Sequence, residues 1–149
     1  MRVSVIGGST VDEETYQTAR RVGERLAERG HEVVCGGLTG VMEGVAEGAA
    51  EAGGRTIGIL PGPDAAAANP SVDVPIATDM GNARNVLVVL NGDAAIAIDG
   101  NTGTLSEIGH ALDTDRPVAG IDTHDVPGVH PVATPGAAVD FVESAVEGD

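Results

Sequence analysis

The sequence predicts an α/β fold of the Rossmann-like, doubly wound type, with a mainly parallel sheet and helices on both faces. Short apolar runs such as "VSVI", "TIGIL" and "AAIAI" alternate with segments of helical spacing, which is the pattern of βαβ units. These runs are apolar on both faces, as expected for strands that helices cover on either side. The 149 residues suit one domain with a single core, which we assign to residues 1–149.

Periodicity, glycines and prolines divide the chain into strands, helices and loops. The predicted strands span residues 2–6, 31–35, 55–60, 73–76, 93–98, 117–121 and, at the sheet edge, 131–133. The predicted helices span residues 13–29, 38–52, 82–91, 104–112 and 135–146. Residues 62–72 show no periodicity and are predicted to form a loop.

Both ends of the first helix carry recognisable signals. Thr10 or Asp12 can cap its N-terminus, and Gly30 suits the position just after its C-terminus. Between them, apolar side chains recur at helical spacing: Tyr16, Ala19, Val22, Leu26 and Ala27.

The second helix has two contrasting faces. Glu43, Glu47 and Glu51 are four residues apart and predict a solvated face. The alanines and glycines of the other face allow close packing, either on another helix or on the sheet. Cys35, in "EVVC", is predicted to lie on the buried strand that precedes this helix.

Local signals also mark the helices of the second half. Asp79 is predicted to cap the helix over 82–91, and Pro135 suits the first turn of the last helix. Thr104 and Glu107, in "TLSE", match a capping box. In that motif Thr104 caps the helix, and the Glu107 side chain reaches back to the Thr104 amide.

The charge balance is strongly acidic. Asp and Glu number 23 against 8 basic residues, giving a net charge of −15, and every basic residue is arginine. An acidic, lysine-free composition resembles that of proteins from salt-loving organisms. At about 1 M salt the Debye length is roughly 3 Å, so self-repulsion is screened. We therefore expect a halophilic protein whose fold loosens in dilute salt.

Composition also argues against several classes of protein. There is no basic stripe to bind nucleic acid or an anionic membrane. One Tyr, one Phe and no Trp leave no stacking platform for bases. A single cysteine forms no internal disulfide, and the four histidines show no metal-ligand spacing. The first residues enter a strand directly and no apolar run could span a membrane, so we expect a cytoplasmic protein.

Three glycine-bearing turns follow predicted strands: "GGST" at 7–10, "GGLTG" at 36–40 and "GNTGT" at 100–104. The carboxyl ends of parallel strands meet at one sheet edge, where ligands bind. Glycine lets the backbone approach an anion, and helix N-termini offer free amides. The turns therefore predict a phosphate site, although each alone is an ordinary strand-to-helix turn. Neither a G-x-G-x-x-G fingerprint nor a P-loop is present.

Four stretches occur in an order that is similar to a known superfamily: "VIGGS" at 5–9, "CGGLTGVMEGVAEGA" at 35–49, "TDMGNARNVLVV" at 78–89 and "DGNTGTLSEI" at 99–108. Together they resemble the Rossmann-like SLOG superfamily, which includes the "lonely guy" cytokinin phosphoribohydrolases. Its branch of molybdenum-cofactor carrier proteins resembles this chain more closely. The resemblance implies a homo-oligomer, a dimer or tetramer, that binds a small phosphorylated ligand. That ligand is a nucleoside monophosphate in the hydrolases and a pterin phosphate, the molybdenum cofactor, in the carriers; no further cofactor is required.

The resemblance also implies which residues form the site. The phosphate loop would comprise Gly100, Asn101, Thr102, Gly103 and Thr104. The ligand would be flanked by Gly7, Gly8, Ser9, Gly36, Gly37, Gly40, Val41, Met42, Arg84 and Asn85. Arg84 and Glu107 would match the catalytic pair of the hydrolases. Alternatives remain for both: Arg84 could pair with a surface carboxylate, and Glu107 could be the capping residue described above or simply solvated.

Two departures from the hydrolase pattern favour binding over catalysis. The hydrolases carry P-G-G at the loop opening, where this chain has Asp99-Gly100-Asn101, and they follow the arginine with lysine, where it has Asn85. The sequence therefore favours a non-catalytic binding protein for a nucleotide-like or pterin phosphate, similar to the carriers. A nucleoside 5′-monophosphate phosphoribohydrolase that releases base and ribose 5-phosphate is the alternative. A nucleotide sensor domain is a third possibility.

Overall fold

The computed structural model describes residues 1–148 and contains a parallel sheet with helices on both faces. The strands are β1 (Arg2–Gly7), β2 (Glu32–Cys35), β3 (Thr56–Leu60), β4 (Val74–Ala77), β5 (Ala94–Ile98), β6 (Val118–Ile121) and β7 (Val129–Pro131). The helices are α1 (Glu13–Glu28), α2 (Val41–Glu51), α3 (Asn85–Leu90), α4 (Thr102–Asp113) and α5 (Pro135–Glu147). The predicted fold class is confirmed.

The strand order of the sheet places a topological switch point at its centre. The order is β4-β3-β2-β1-β5-β6-β7, and every pair is parallel. The chain runs outward from β1 through β4, then returns to the other side of β1 and runs outward again. Val5 pairs with Ile96 and Gly7 with Ile98. Where strand order reverses, the loops diverge and leave a crevice at the carboxyl ends of β1 and β5.

Alternate residues of the buried strands pack into two hydrophobic clusters, one on each face of the sheet. Val3 and Val5 pack with α1, α2 and α5 on one face of the sheet. Ile6 packs with Val88 of α3 and Ile108 of α4 on the other. Because neighbouring strand residues point to opposite faces, a strand covered on both sides is largely apolar. Cys35 lies on buried β2, as predicted.

Helices α1 and α2 approach each other closely through glycines. A Cβ on Gly48 would overlap the Arg20 carbonyl oxygen, and one on Gly23 would overlap that of Val45. The small face of α2 thus packs on a helix, one of the two arrangements expected. Its glutamate face is only partly solvated: Glu47 accepts from the Tyr16 hydroxyl, and Glu51 forms a 2.5 Å ion pair with Arg20.

Several predicted details are wrong. Asp79 caps no helix: it has a φ of 54°, and the chain enters a 3₁₀ turn (Gly81–Arg84) before α3 begins. A short 3₁₀ turn, Ala65–Ala67, interrupts the predicted loop, because the Asp64 carboxylate accepts from the Ala66 amide. The last strand lies two residues earlier than expected. By contrast, Asp12 caps α1 and Pro135 opens α5, as predicted.

Among residues 1–148, no helix is both long enough and apolar enough to cross a bilayer.

Candidate functional site

A cleft of about 180 Å³ opens at the carboxyl ends of β1 and β2, beside the switch point. The loops after β1 and β2, the start of α3 and the start of α4 all contribute to it. Its walls are formed by Val5, Ile6, Gly7, Gly8, Ser9, Gly36, Leu38, Met42, Asn82, Arg84, Asn85, Asn101, Gly103, Thr104 and Glu107.

The first two turns need glycine because there is no room for side chains around the cleft. A Cβ on Gly7, in the first turn, would overlap the Ile98 carbonyl oxygen. A Cβ on Gly36 would lie 2.6 Å from the Met42 sulfur and 2.8 Å from a guanidinium nitrogen of Arg84. Gly40 has a φ of 66°, which strains any other residue. The two turns are joined where the Val41 amide donates to the Gly8 carbonyl at 3.0 Å.

The third turn presents the N-terminus of α4 to the cleft. The helix begins at Thr102, and its N-cap, Asn101, makes no side-chain capping bond. The first amides of a helix have no intrahelical acceptor, so the amides at this end are available to an anion in the cleft. The loop is held from outside: the His124 ring nitrogen Nε2 lies 2.9 Å from the Asn101 carbonyl oxygen, and the Ser106 hydroxyl donates to the Gly103 carbonyl.

The capping box predicted for "TLSE" is wrong. Because α4 begins at Thr102, Thr104 lies inside its first turn and Glu107 in its second, out of place for a cap. The earlier start follows from a left-handed backbone at Asp99, with a φ of 55°, and at Gly100, with a φ of 108°. The Asp99 side chain lies at the rim of the cleft: its Oδ2 is 3.2 Å from where a Cβ on Gly8 would stand.

Arg84 is buried, and its guanidinium links the start of α3 to β3 and to the turn after β2. Nε donates to the Ile59 carbonyl of β3 at 2.8 Å, and Nη2 donates to the Gly36 carbonyl at 3.3 Å. Nη1 donates to the side-chain oxygen of Asn85. Burial lowers the pKa of Arg84 from its usual value. Within residues 1–148 no carboxylate lies within 4.0 Å of it, so the alternative of a surface ion pair does not apply.

Glu107 is the buried acid of the cleft. Only 8 % of its surface is exposed, and it lines the cavity. Burial raises its pKa to about 8, although the Arg84 charge acts in the opposite direction. The carboxyl is therefore largely protonated at neutral pH. Simple solvation, one of the alternatives drawn from the sequence, does not describe this residue.

The cleft gathers most of the residues that the sequence singled out and leaves some aside. Five of the predicted binding residues do not line it: Gly37, Gly40, Val41, Gly100 and Thr102. Four lining residues were missed: Val5, Ile6, Leu38 and Asn82. The signals for these were present in part, since Val5 and Ile6 directly precede the first glycine turn and Asn82 belongs to the stretch containing Arg84.

A second, more open depression of about 540 Å³ adjoins the cleft. The two share Asn82, Asn85 and Gly103 as a common wall. Its other lining residues are Ala83, Val86, Thr102, Ser106 and His110. Together the two cavities form a continuous surface around the start of α4, and both are lined by polar and apolar residues.

The chain is similar to known proteins in sequence and in fold. An uncharacterized protein of Archaeoglobus fulgidus is 45% identical over 146 residues, 97% of this chain and 96% of that protein. The molybdenum cofactor binding protein of Rippkaea orientalis has a TM-score of 0.91 at 32% identity, over 97% of this chain and 96% of that one. The molybdenum cofactor carrier protein of Chlamydomonas reinhardtii gives 0.90 at 31% identity, over 98% of both chains.

The expected superfamily is confirmed by a family profile that covers nearly the whole chain. The profile of the SLOG cluster4 family matches residues 1–144, a range that includes all three glycine turns, Arg84 and Glu107. The chain belongs to the SLOG cluster4 family.

Proposed function

We propose that this chain is a non-catalytic binding protein for a phosphorylated pterin or nucleotide-like ligand, similar to the molybdenum cofactor carriers. One observation carries the proposal: the uncapped N-terminus of α4 and the glycine turns after β1 and β2 open into one cleft. The similarity to molybdenum cofactor proteins over nearly the whole chain supports a pterin phosphate as the ligand.

The phosphate group is assigned to the α4 end of the cleft. Amides at a helix N-terminus and the positive end of its dipole favour an anion there. A chain of net charge −15 repels anions at long range, so binding depends on such local donors. Gly103 has no side chain and Thr104 supplies a hydroxyl, which leaves room and a further donor beside these amides.

The ring system is assigned to the adjoining depression. Asn82 lies on the wall that the two cavities share, where its amide group can pair with the polar edge of a heterocycle. Ala83 and Val86 provide aliphatic surface for its faces. This division, with polar groups fixing orientation and apolar groups burying the ring, is usual in ligand sites.

The hydrolase alternative has less support. In that mechanism Arg84 would orient the ligand, yet its guanidinium already donates to the Gly36 and Ile59 carbonyls and to Asn85. The residue after it is Asn85, where the hydrolase pattern has lysine. Arg84 therefore supports the shape of the cleft and adds positive charge beneath it.

The phosphate assignment predicts a specific loss of binding in Gly103→Asp. A side chain at Gly103 meets only the Asn85 amide, at 3.6 Å, so the variant should fold. An aspartate near a helix N-terminus also stabilises the helix. Its carboxylate would occupy the anion site, and like-charge juxtaposition costs several kcal/mol. We expect AMP to bind at least about 30-fold more weakly than to the wild type, as measured by calorimetry in molar KCl.

A matched control is available at the start of α5. Gly136 is the second residue of its helix, as Gly103 is of α4, and a side chain there meets nothing within 4 Å. Gly136→Asp adds the same charge away from the cleft and should bind AMP like the wild type. Adenosine, which lacks the phosphate, should bind all three proteins weakly. Equal AMP affinity in the two variants would contradict the assignment.

A further inference from the structure

Glu107 is a buried carboxyl that faces the ligand cleft without a protein partner. With only 8 % of its surface exposed, more than nine-tenths of it is buried, and it lines the cavity. Within residues 1–148, its oxygens accept no hydrogen bond from a side chain and no cation lies within 4.0 Å. The carboxyl group therefore faces the cleft, where a donor group of a bound ligand can pair with it.

Among residues 1–148, the elements around Glu107 place no cation within 4.0 Å of its carboxyl group. Arg84, at the start of α3, donates to two carbonyls and to Asn85. Its charge lowers the pKa of Glu107 but does not outweigh the effect of burial. Cys35 on β2 is buried, and its thiol has a pKa of about 11, so it is neutral. β1 contributes the apolar Val5 and Ile6. Asp99, at the rim, is a second acidic residue. Within α4, Glu107 lies in the second turn, beyond the free amides.

An ionised Glu107 would oppose the ligand assigned to this cleft. A phosphate at the α4 N-terminus and a carboxylate in the same small cavity repel each other, and low-dielectric surroundings strengthen the repulsion. A proton on Glu107 removes the repulsion and provides an O–H donor. The same carboxyl then pairs with an acceptor oxygen of the ligand instead of remaining unpartnered.

We infer that Glu107 determines the specificity of the cleft for anionic ligands by binding them as a neutral acid, so that ligand binding in alkaline solution takes up a proton from solvent onto this carboxyl. The inference rests on the proposed function, because it requires an anion in the cleft. No bond other than the carboxyl O–H forms, and the proton comes from water or buffer.

The inference has a measurable pH dependence. With a pKa of about 8 in the free protein, Glu107 is mostly protonated at pH 7 and mostly ionised at pH 9.5. Because only the protonated form binds the ligand, the apparent affinity falls by up to about tenfold for each pH unit above 8. The second ionisation of a phosphate monoester, near pH 6, is complete before this range begins, so it does not contribute.

The test is calorimetric titration of the intact protein with AMP in molar KCl between pH 7 and pH 9.5, in two buffers of different ionisation enthalpy. The wild type should bind at least about tenfold more weakly at pH 9.5 than at pH 7.5, with proton uptake visible as a buffer-dependent heat. Glu107→Gln keeps the shape and stays neutral, so its affinity should be nearly constant across the range. Glu43→Gln, on the half-exposed face of α2, should keep the wild-type slope.

The outcomes separate this inference from the function on which it rests. AMP binding by the wild type with no pH dependence, or an unchanged slope in Glu107→Gln, overturns the role of Glu107 and leaves the binding function standing. If the wild type, with the fold intact by circular dichroism, binds neither AMP nor released molybdenum cofactor at pH 7, the proposed function and this inference both fail. If it retains the cofactor but does not bind AMP, the same pH series with cofactor retention as the readout tests the inference.

Discussion

Gly48→Ala is expected to lower the free energy of unfolding by about 2–3 kcal/mol, the usual cost of overpacking a filled core. The added methyl would overlap the Arg20 carbonyl oxygen and lie 2.7 Å from its carbon. These are backbone atoms of α1, so no side-chain rotation can relieve the clash. The two helices would have to separate, and Gly23 and Gly44 hold them close along the rest of the contact.

The control is the same substitution at a glycine in the middle of another helix. A Cβ on Gly109 of α4 would meet nothing within 4 Å, so Gly109→Ala should raise the free energy of unfolding by up to about 1 kcal/mol, from helix propensity alone. Urea unfolding in molar KCl, followed by circular dichroism, measures both variants. Equal changes of the same sign in the two would contradict the proposed helix contact.

Arg84→Met is expected to cost about 2–4 kcal/mol of stability, although methionine has a similar length. The variant leaves the carbonyls of Ile59 and Gly36 without their donor, and each buried, unpaired acceptor costs about 1–3 kcal/mol. Because methionine carries no charge, the variant no longer loses free energy by burying a cation, and this offsets part of the loss. Because the two carbonyls lie at the ends of β3 and β2, their release should also loosen the wall of the cleft.

Arg55→Met provides the comparison for this loss. Arg55 is exposed, and its ion pair with Glu32 is long, at 3.6 Å. Exposed pairs contribute about 0–1 kcal/mol, and molar salt weakens them further. We therefore expect little change in the urea midpoint for Arg55→Met and a large decrease for Arg84→Met. A small effect in both would show that the Arg84 hydrogen bonds contribute little to stability.

The strands and most helices could be predicted because their signals are local. The apolar run of residues 94–98 and the spacing of Val22 and Leu26 depend only on neighbouring residues. The start of α4 could not be predicted in the same way. "TLSE" satisfies a capping pattern, but the left-handed backbone at Asp99 and Gly100 begins the helix earlier. Aspartate at a positive φ has no sequence signal comparable to that of glycine.

The candidate site was predictable in its location but not in its contacts. Glycine turns after strands indicate one sheet edge, and the structure brings most of them to one cleft. The partners of Arg84 are backbone carbonyls 25 and 48 residues away in the chain. Because every residue has such a carbonyl, the sequence does not indicate which ones Arg84 contacts. The burial of Glu107 likewise depends on how α4 packs over β1 and β5, which local spacing does not specify.

The central claim is that the cleft binds a phosphorylated pterin, and retention of molybdenum cofactor tests it most directly. The protein would be incubated in molar KCl with cofactor released from a molybdoenzyme and separated from free cofactor by gel filtration. Pterin fluorescence and molybdenum content would then be measured in the protein fraction. We predict stoichiometric retention by the wild type and by Gly136→Asp, and little retention by Gly103→Asp. No retention by the folded wild type, or equal retention by all three proteins, would contradict the claim.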